Sequence, residues 1–324
     1  MCKNVTFVCI GQSWGCLPGT LRFPIRPQQS PKERRAPGAH RKRCAEQNHG
    51  ICMDKHYHGR MPPLAHSSMR ALILSDIHSN IDALEAVLSA APQHDVVWNL
   101  GDVVGYGATP NQVIERASAI GSVFVRGNHD RACCGLDDAE NFNSVALAAV
   151  RWTRKHLDAD ATRWLREMPP GPIQPEGSGA NCVHGSLLDE DQYLLTTQDA
   201  EEQPIPKHRS EDRSRITFFG HTHIQGGFAA NADGDWLPLK PAYSEDNNAE
   251  SYVLDLRESA MYLINPGSVG QPRDRDWRAA FALYDDQISR ITYYRVPYDV
   301  RLAQMRIERA GLPEMLASRL RVGR

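Results

Sequence analysis

Met69-Arg70-Ala71-Leu72-Ile73-Leu74-Ser75-Asp76-Ile77-His78 is the stretch whose reading decides the fold. Ala71 to Ser75 is a short apolar run, the pattern of a strand covered on both faces. It ends abruptly in Asp76 and His78. Working outward, Asn80 to Ala91 carries Ile81, Leu84, Val87 and Leu88 at helical spacing, and Pro92 stops it. Asp95 to Leu100 reads as a second buried strand, Pro110 to Ala119 as a second helix and Ser122 to Arg126 as a third strand. Short connections in a β-α-β-α-β order imply parallel pairing with right-handed crossovers.

Further along, Asn143 to His156 and Ala159 to Glu167 have helical patterns that end before Pro169-Pro170-Gly171. The texture then changes to short strands linked by turns: 180–183, 216–219, 225–229, 252–256, 261–264, 279–284 and 288–295, with Asp285-Asp286-Gln287 as a hairpin signal. Asp299 to Ala310 and Pro313 to Leu320 read as closing helices. Two packed β-sheets with helices outside accommodate this order of elements. The polar, Pro-containing run from Asn231 to Glu250 reads as a long hairpin loop. Leu187 to Arg213 is too long for a simple connection and is expected to cap whatever site the strand ends build, with Tyr193 buried inside it. Trp98, Trp152 and Trp164 fall on apolar faces and are expected in the core.

Upstream of Met69 the character differs. Residues 1–68 hold 11 Lys/Arg against 3 Asp/Glu, whereas the remainder holds 26 against 36. Neither helical nor strand periodicity is present there, and 24–43 is rich in Pro, Gln and Arg. We expect a disordered basic extension or a mis-set start, with the folded domain occupying 69–324. Nucleic-acid binding by this arm and a transit-peptide role are the weaker readings. Cys133, Cys134 and Cys182 do not form a disulfide framework and are read as reduced thiols. No run of about 18 apolar residues occurs, and no secretory signal is recognisable, so a cytoplasmic protein without membrane contact is expected.

The residues that carry chemistry fall in five clusters at the ends of these strands. They are Asp76-Ile-His78, Gly101-Asp102, Gly127-Asn128-His129-Asp130, His184-Gly185 and Gly220-His221-Thr222-His223. Asp76 to Asp102 and Asp102 to Asn128 are both 26 residues, about one strand plus one crossover helix. Each polar group therefore leaves the carboxyl end of a successive parallel strand, where open α/β sheets place their sites. In an extended segment, Asp76 and His78 point the same way, as do His221 and His223. Singly, each motif is more often a solvated strand end or a turn. Five such clusters of metal-capable residues, nearly all flanked by glycine, are not.

Taken in this order, the motifs Asp-x-His, Gly-Asp, Gly-Asn-His-Asp, His-Gly and Gly-His-Thr-His resemble those of the calcineurin-like metallophosphoesterase superfamily, over Met69 to about Tyr294. The resemblance implies an α/β, four-layer αββα sandwich, two mixed β-sheets flanked by helices, with two divalent metals at their carboxyl edge. Asp76, His78 and His223 would hold the first metal and Asn128, His184 and His221 the second. Asp102 would bridge them, and His129 would stand over the substrate. Two divalent ions with two carboxylates suit a phosphate ester, and a bridging hydroxide formed at neutral pH would attack it. His129 would then protonate the leaving alkoxide. Several imidazoles favour Mn, with Fe, Zn, Ni or Co as alternatives, over an all-oxygen Mg site.

Departures from relatives narrow the substrate. Protein phosphatases of this superfamily carry Gly-Asp-x-Val-Asp-Arg-Gly, whereas here Gly105 and Tyr106 stand where that Asp and Arg belong. This argues against a protein phosphatase and for the small bacterial phosphodiesterase branch, as does Asn265-Pro-Gly-Ser268-Val-Gly-Gln271-Pro-Arg273-Asp. Ser268 and Arg273 are candidate phosphate contacts, Arg273 in place of the lost guanidinium. A structural turn with Arg273 paired to Asp274 or Asp276 is the alternative. The expected function is hydrolysis of a phosphodiester or phosphomonoester of a small molecule or nucleotide. A catalytically silent binding scaffold on the same fold is the competing reading, and the complete ligand set weighs against it.

Overall fold

The structure is a computed structural model that describes residues 68–205, 215–231, 233–244 and 247–324. The expected basic extension, apart from Ser68, and the end of the expected cap lie outside the described residues. The opening strand β1 (Arg70–Leu74) forms as the sequence indicates, with Ala71 to Leu74 all buried. Its side chains alternate between two cores. Leu72 and Leu74 pack with α1 (Ile81–Ala90), while Ala71 and Ile73 face the second sheet. Asn80 caps α1 through its side-chain oxygen, which accepts from the Ala83 amide at 3.1 Å.

β2 (Val96–Asn99), α2 (Pro110–Ile120) and β3 (Val123–Phe124) complete the parallel unit. After α3 (Asn128–Cys133), α4 (Ser144–His156) and α5 (Ala159–Glu167), the chain enters the second sheet at β4 (Ala180–Cys182). The short α6 (Thr197–Glu201) follows, then β5 (Ile216–Phe218), β6 (Gly226–Ala230), β7 (Trp236–Leu239), β8 (Glu250–Asp255), β9 (Met261–Asn265), β10 (Ala279–Asp285) and β11 (Arg290–Val296). The helices α7 (Val300–Arg309) and α8 (Glu314–Leu320) close the chain.

The first sheet has the order β3-β2-β1-β10-β11-β8 and the second β4-β5-β9-β6-β7, each with parallel and antiparallel pairs. Trp98, Phe218, Ile264 and Tyr293 fill the space between them. Trp98 packs edge-on to Phe218 with centroids 5.8 Å apart, a favourable aromatic arrangement. The helices α1, α2, α4, α5, α7 and α8 cover the outer face of the first sheet. On the outer face of the second, among the described residues, α6 and Leu194 pack with Phe219, Phe228 and Trp236. The two-sheet sandwich is therefore present, with a thin fourth layer.

Two elements differ from the sequence reading. Within the expected loop 231–250, Trp236 to Leu239 forms β7, with Pro238 opposite Phe228. It lies at the sheet edge, where a proline that cannot donate is tolerated. Asn128 also begins a short helix that the sequence reading did not place, and that helix shapes the site.

Candidate metal centre

The five clusters converge. Asp76, His78, Asp102 and His223 offer ligand atoms within 4.8 Å of one another, as do Asp102, His184 and His221. Asp102 belongs to both groups. Its Oδ2 lies 3.5 Å from Nε2 of His78 and 3.5 Å from Nε2 of His184. His223 Nε2 lies 3.2 Å from Asp76 Oδ1 and 3.1 Å from His78 Nε2. Asn128 enters through its side-chain oxygen, 3.3 Å from His184 Nε2. All seven side chains thus meet at one rim, although they come from both sheets.

The reason differs from simple strand alternation. β1 stops at Leu74, and Asp76 and His78 have φ of 54° and 48°, not extended backbone. Asp102, Tyr106, His221 and His223 also have positive φ, between 54° and 64°. Non-glycine residues enter this region at a cost of order 1–3 kcal/mol each, and such strain gathers at functional sites. The chain turns sharply in this way after β1, β2 and β5.

A second layer sets the imidazoles. Nδ1 of His78, His184 and His223 donates to the carbonyls of Val104, Leu100 and Gln271, at 3.0, 2.8 and 2.6 Å. A carbonyl can only accept, so Nδ1 of each ring carries a proton and Nε2 is the nitrogen turned inward. His221 is reversed. Its Nε2 donates to the Asp191 carbonyl at 3.1 Å, leaving Nδ1 to ligate. The Tyr193 ring stacks on His221 at 4.0 Å and is half exposed, not buried in a cap. Arg131 on α3 holds the adjoining loop through ion pairs to Glu190 and Asp191.

Burial and charge oppose each other here. Burial would raise Asp76, yet His223 and His184 outweigh it and hold the carboxyl well below its ordinary range. Asp102 is likewise raised by burial and lowered further by His184 and His129, ending well below. Burial lowers His78 and His223, and takes His221 down to about 3, so these imidazoles are neutral and ready to ligate. For His184 burial also lowers, but the Asp102 charge prevails and lifts it to about 10. Asp76 Oδ1 is buried with no hydrogen-bond partner. Two ionised carboxylates, four imidazoles and an amide in a dry pocket fit divalent cations, which would satisfy that orphaned oxygen.

His129 stands over this cluster. Its amide donates to Asp102 Oδ1 at 2.9 Å, so the bridging candidate also caps the start of α3. Its ring packs against Tyr106 at 4.3 Å and Phe142 at 4.8 Å, and Nδ1 is buried without a partner. A β-carbon added at Gly105 would come within 2.5 Å of that nitrogen. The ring thus fills the space that a longer residue there would need. Burial lowers His129 to about 4.

The two substrate candidates separate. Ser268 is fully buried, donates to the Asp76 carbonyl at 2.8 Å and accepts from the Gln271 amide at 2.8 Å. Its hydroxyl braces the loop and does not face the rim. Arg273 is half-buried beside the site. Its backbone amide donates to the His223 carbonyl at 3.1 Å, and its guanidinium reaches the Tyr106 hydroxyl at 3.3 Å. The carboxylates expected to pair with it are taken, Asp274 by Arg295 and Asp276 by Arg278.

Several supporting residues escaped the sequence reading. Asn265, fully buried, donates 2.9 Å bonds to the Gly220 carbonyl and the Thr222 hydroxyl, pinning the loop that carries His221 and His223. Asp130 accepts from the amides of Gly127 and Val104 at 3.0 and 3.1 Å. Burial and then the Asp102 charge raise Asp130 to about 7. Their only signal was membership of quoted motifs, since the partners lie on distant strands.

Known proteins resemble this chain across the same region. The family model described as calcineurin-like phosphoesterase superfamily domain matches residues 69–287. An uncharacterised protein of Methanocaldococcus jannaschii is 32% identical over 264 residues, covering 78% of this chain and 97% of its own. The crystal structure of a metallophosphoesterase from Sphaerobacter thermophilus aligns with TM-score 0.67 at 36% identity, covering 80% of this chain and all of that one. A hypothetical protein from Pyrococcus horikoshii shares the fold at TM-score 0.59 and 19% identity, over 79% of this chain and 98% of its own.

Proposed function

The chain belongs to the calcineurin-like phosphoesterase superfamily and is a metal-dependent phosphoric ester hydrolase, and we propose that it works with two divalent cations on a small phosphorylated molecule or nucleotide. The observation that carries this reading is Asp102, whose carboxylate belongs to both potential ligand groups. Asp76, His78 and His223 would hold one ion, and Asn128, His184 and His221 the other. The four imidazoles among these donors favour Mn over Mg. Cations bound there supply Lewis acidity towards phosphoryl oxygens and an activated water.

The protein's own groups account for the rest. Asp76 and Asp102 remain ionised and set the charge of the pocket. His129, next in sequence to Asn128, is placed to give a proton to the leaving oxygen. Phosphate binding raises its proton affinity, which burial otherwise suppresses. Arg273 grips a non-bridging phosphate oxygen, with Tyr106 holding its guanidinium in place. We read 187–213, as far as it is described, as a cap, supported by Tyr193 against His221 and by the Asp191 carbonyl that orients that ring. Among the described residues, no helix is long and apolar enough to cross a membrane.

Purified protein supplied with Mn²⁺ is expected to hydrolyse bis-p-nitrophenyl phosphate and to lose this activity to a chelator. His129→Ala should lose rate and keep its metal. Hydrolysis indifferent to chelation sinks the metal reading, and loss of metal in His129→Ala reassigns that residue as a ligand.

A further inference from the structure

Resting on the two-cation reading above, we propose that Arg131 is the positioning residue of the second cation position. It holds Asn128, His184 and His221 in one arrangement without touching the ion, so that this ion and not its neighbour depends on it.

Arg131 follows Asn128 by three residues on α3, and positions three apart share a helix face. Asn128 places its side-chain oxygen 3.3 Å from His184 Nε2, while Arg131 reaches the loop that follows His184. Its Nη1 donates to Glu190, its Nη2 donates to Asp191 at 2.7 Å and its Nε donates to Asp137 at 3.1 Å. The loop is folded back on itself. The Ser186 amide donates to the Asp189 carbonyl at 2.9 Å, and the Ser186 hydroxyl donates to Gln192 at 2.6 Å. Asp191 then contributes its backbone carbonyl, which accepts from His221 Nε2 at 3.1 Å, and Tyr193 stacks on the same ring at 4.0 Å. One guanidinium therefore ties together α3, the chain leaving His184 and the contacts that set His221, which between them carry all three ligands of the second position.

Arginine suits this task. Its planar fork presents donors in fixed directions, so three carboxylates bound at once set the orientation of the loop as well as its distance. The side chains of Arg131 and Glu190 are only 17% and 19% exposed, and salt screens such a pair less than a surface one. Glu190 also lies 4.0 Å from Arg126, so arginines on both sides of Gly127 to Asp130 converge on it. The first position is held differently. His78 and His223 are set by the carbonyls of Val104 and Gln271, and Asp76 accepts from the Ser75 hydroxyl at 2.7 Å. Among the described residues, none of these groups bonds to Arg131 or to residues 186–192. The His221 amide donates to Asp76 at 3.2 Å, but through the backbone and not the ring. Asp102 is the ligand that the two positions share.

The test titrates Mn²⁺ calorimetrically into the full chain after a chelator has been used and dialysed away. The wild type should show two binding events, and Asn128→Ala identifies the one at the second position by weakening it. Losing a residue that supports a ligand costs about 10- to 100-fold in metal affinity, so Arg131→Gln should weaken that event about tenfold or more and leave the other within about twofold. Arg131→Lys keeps the charge without the fork and should recover part of the loss. Asp191→Asn alters an exposed carboxylate, keeps the carbonyl that His221 uses and should weaken the same event, which reads the proposal even where Arg131→Gln folds poorly. A structural role alone would lower thermal stability and move both events together or neither. Either pattern in Arg131→Gln and Asp191→Asn overturns the positioning role. A wild type that binds a single ion overturns the two-cation reading beneath it.

Discussion

Replacing Asp102 by Asn changes almost nothing in shape and one unit of charge. The asparagine oxygen can still accept from the His129 amide, so the start of α3 should remain. What is lost is the negative charge 3.5 Å from both His78 and His184. A unit positive charge at that separation interacts with a carboxylate by about 5 kcal/mol at an effective dielectric of about 20. Removing one partner of a buried charge pair costs about 3–5 kcal/mol in practice. The two figures agree, and they correspond to about 150- to 5,000-fold in affinity or rate. Because the carboxylate serves both ligand groups, both metal positions should weaken together. Metal content after dialysis, measured by plasma mass spectrometry, should fall well below two equivalents. Hydrolysis of bis-p-nitrophenyl phosphate should drop by at least two orders of magnitude, while circular dichroism shows native secondary structure. An Asp102→Asn protein that retains two metals and more than a tenth of the wild-type rate refutes a bridging role.

Other consequences can be measured on the same protein. A β-carbon at Gly127 would lie 2.1 Å from Asp102 Oδ1 and 2.4 Å from its backbone nitrogen, so Gly127→Ala should destabilise by about 1–3 kcal/mol and reduce metal content. Wild-type melting with full metal would show that the close approach can relax. Asn265→Ala removes two donated bonds and one accepted from the Gly267 amide at 2.8 Å. It should cost about 2–4 kcal/mol in denaturant unfolding and weaken metal binding by about 10- to 100-fold, as for other residues that support ligands; unchanged metal affinity would separate Asn265 from the centre. The thiols of Cys133, Cys134 and Cys182 are buried and burial pushes each up, so peptide mapping should find them unalkylated by iodoacetamide until the protein is denatured. Rapid labelling of Cys182 in the native protein would contradict its place between the sheets.

The apolar runs and their punctuation were enough to place β1, α1, β2 and α2, because each of these elements buries a face dictated by its own spacing. The ligand candidates were also legible, since Asp76, Asp102 and Asn128 recur one strand and one crossover apart. Local pattern gave the wrong reason for their aim. Period-two alternation cannot describe Asp76 and His78 once both adopt positive φ beyond the strand. β7 was hidden by Pro238, which only an edge position tolerates. Ser268 and Arg273 looked equivalent in sequence, but the loop turns one hydroxyl into the interior and leaves the guanidinium at the rim.

By itself, then, the sequence determined that strand ends carry a complete set of metal-capable donors, because those choices are local and each motif announces itself. The tertiary structure alone decided what these donors face. Backbone carbonyls from Leu100, Val104 and Gln271 set three imidazoles, and Asn265 on β9 holds the last motif from the neighbouring strand. Such pairings join residues 26 to 84 positions apart in the chain, and contacts of that range follow from packing two sheets rim to rim, not from any local period.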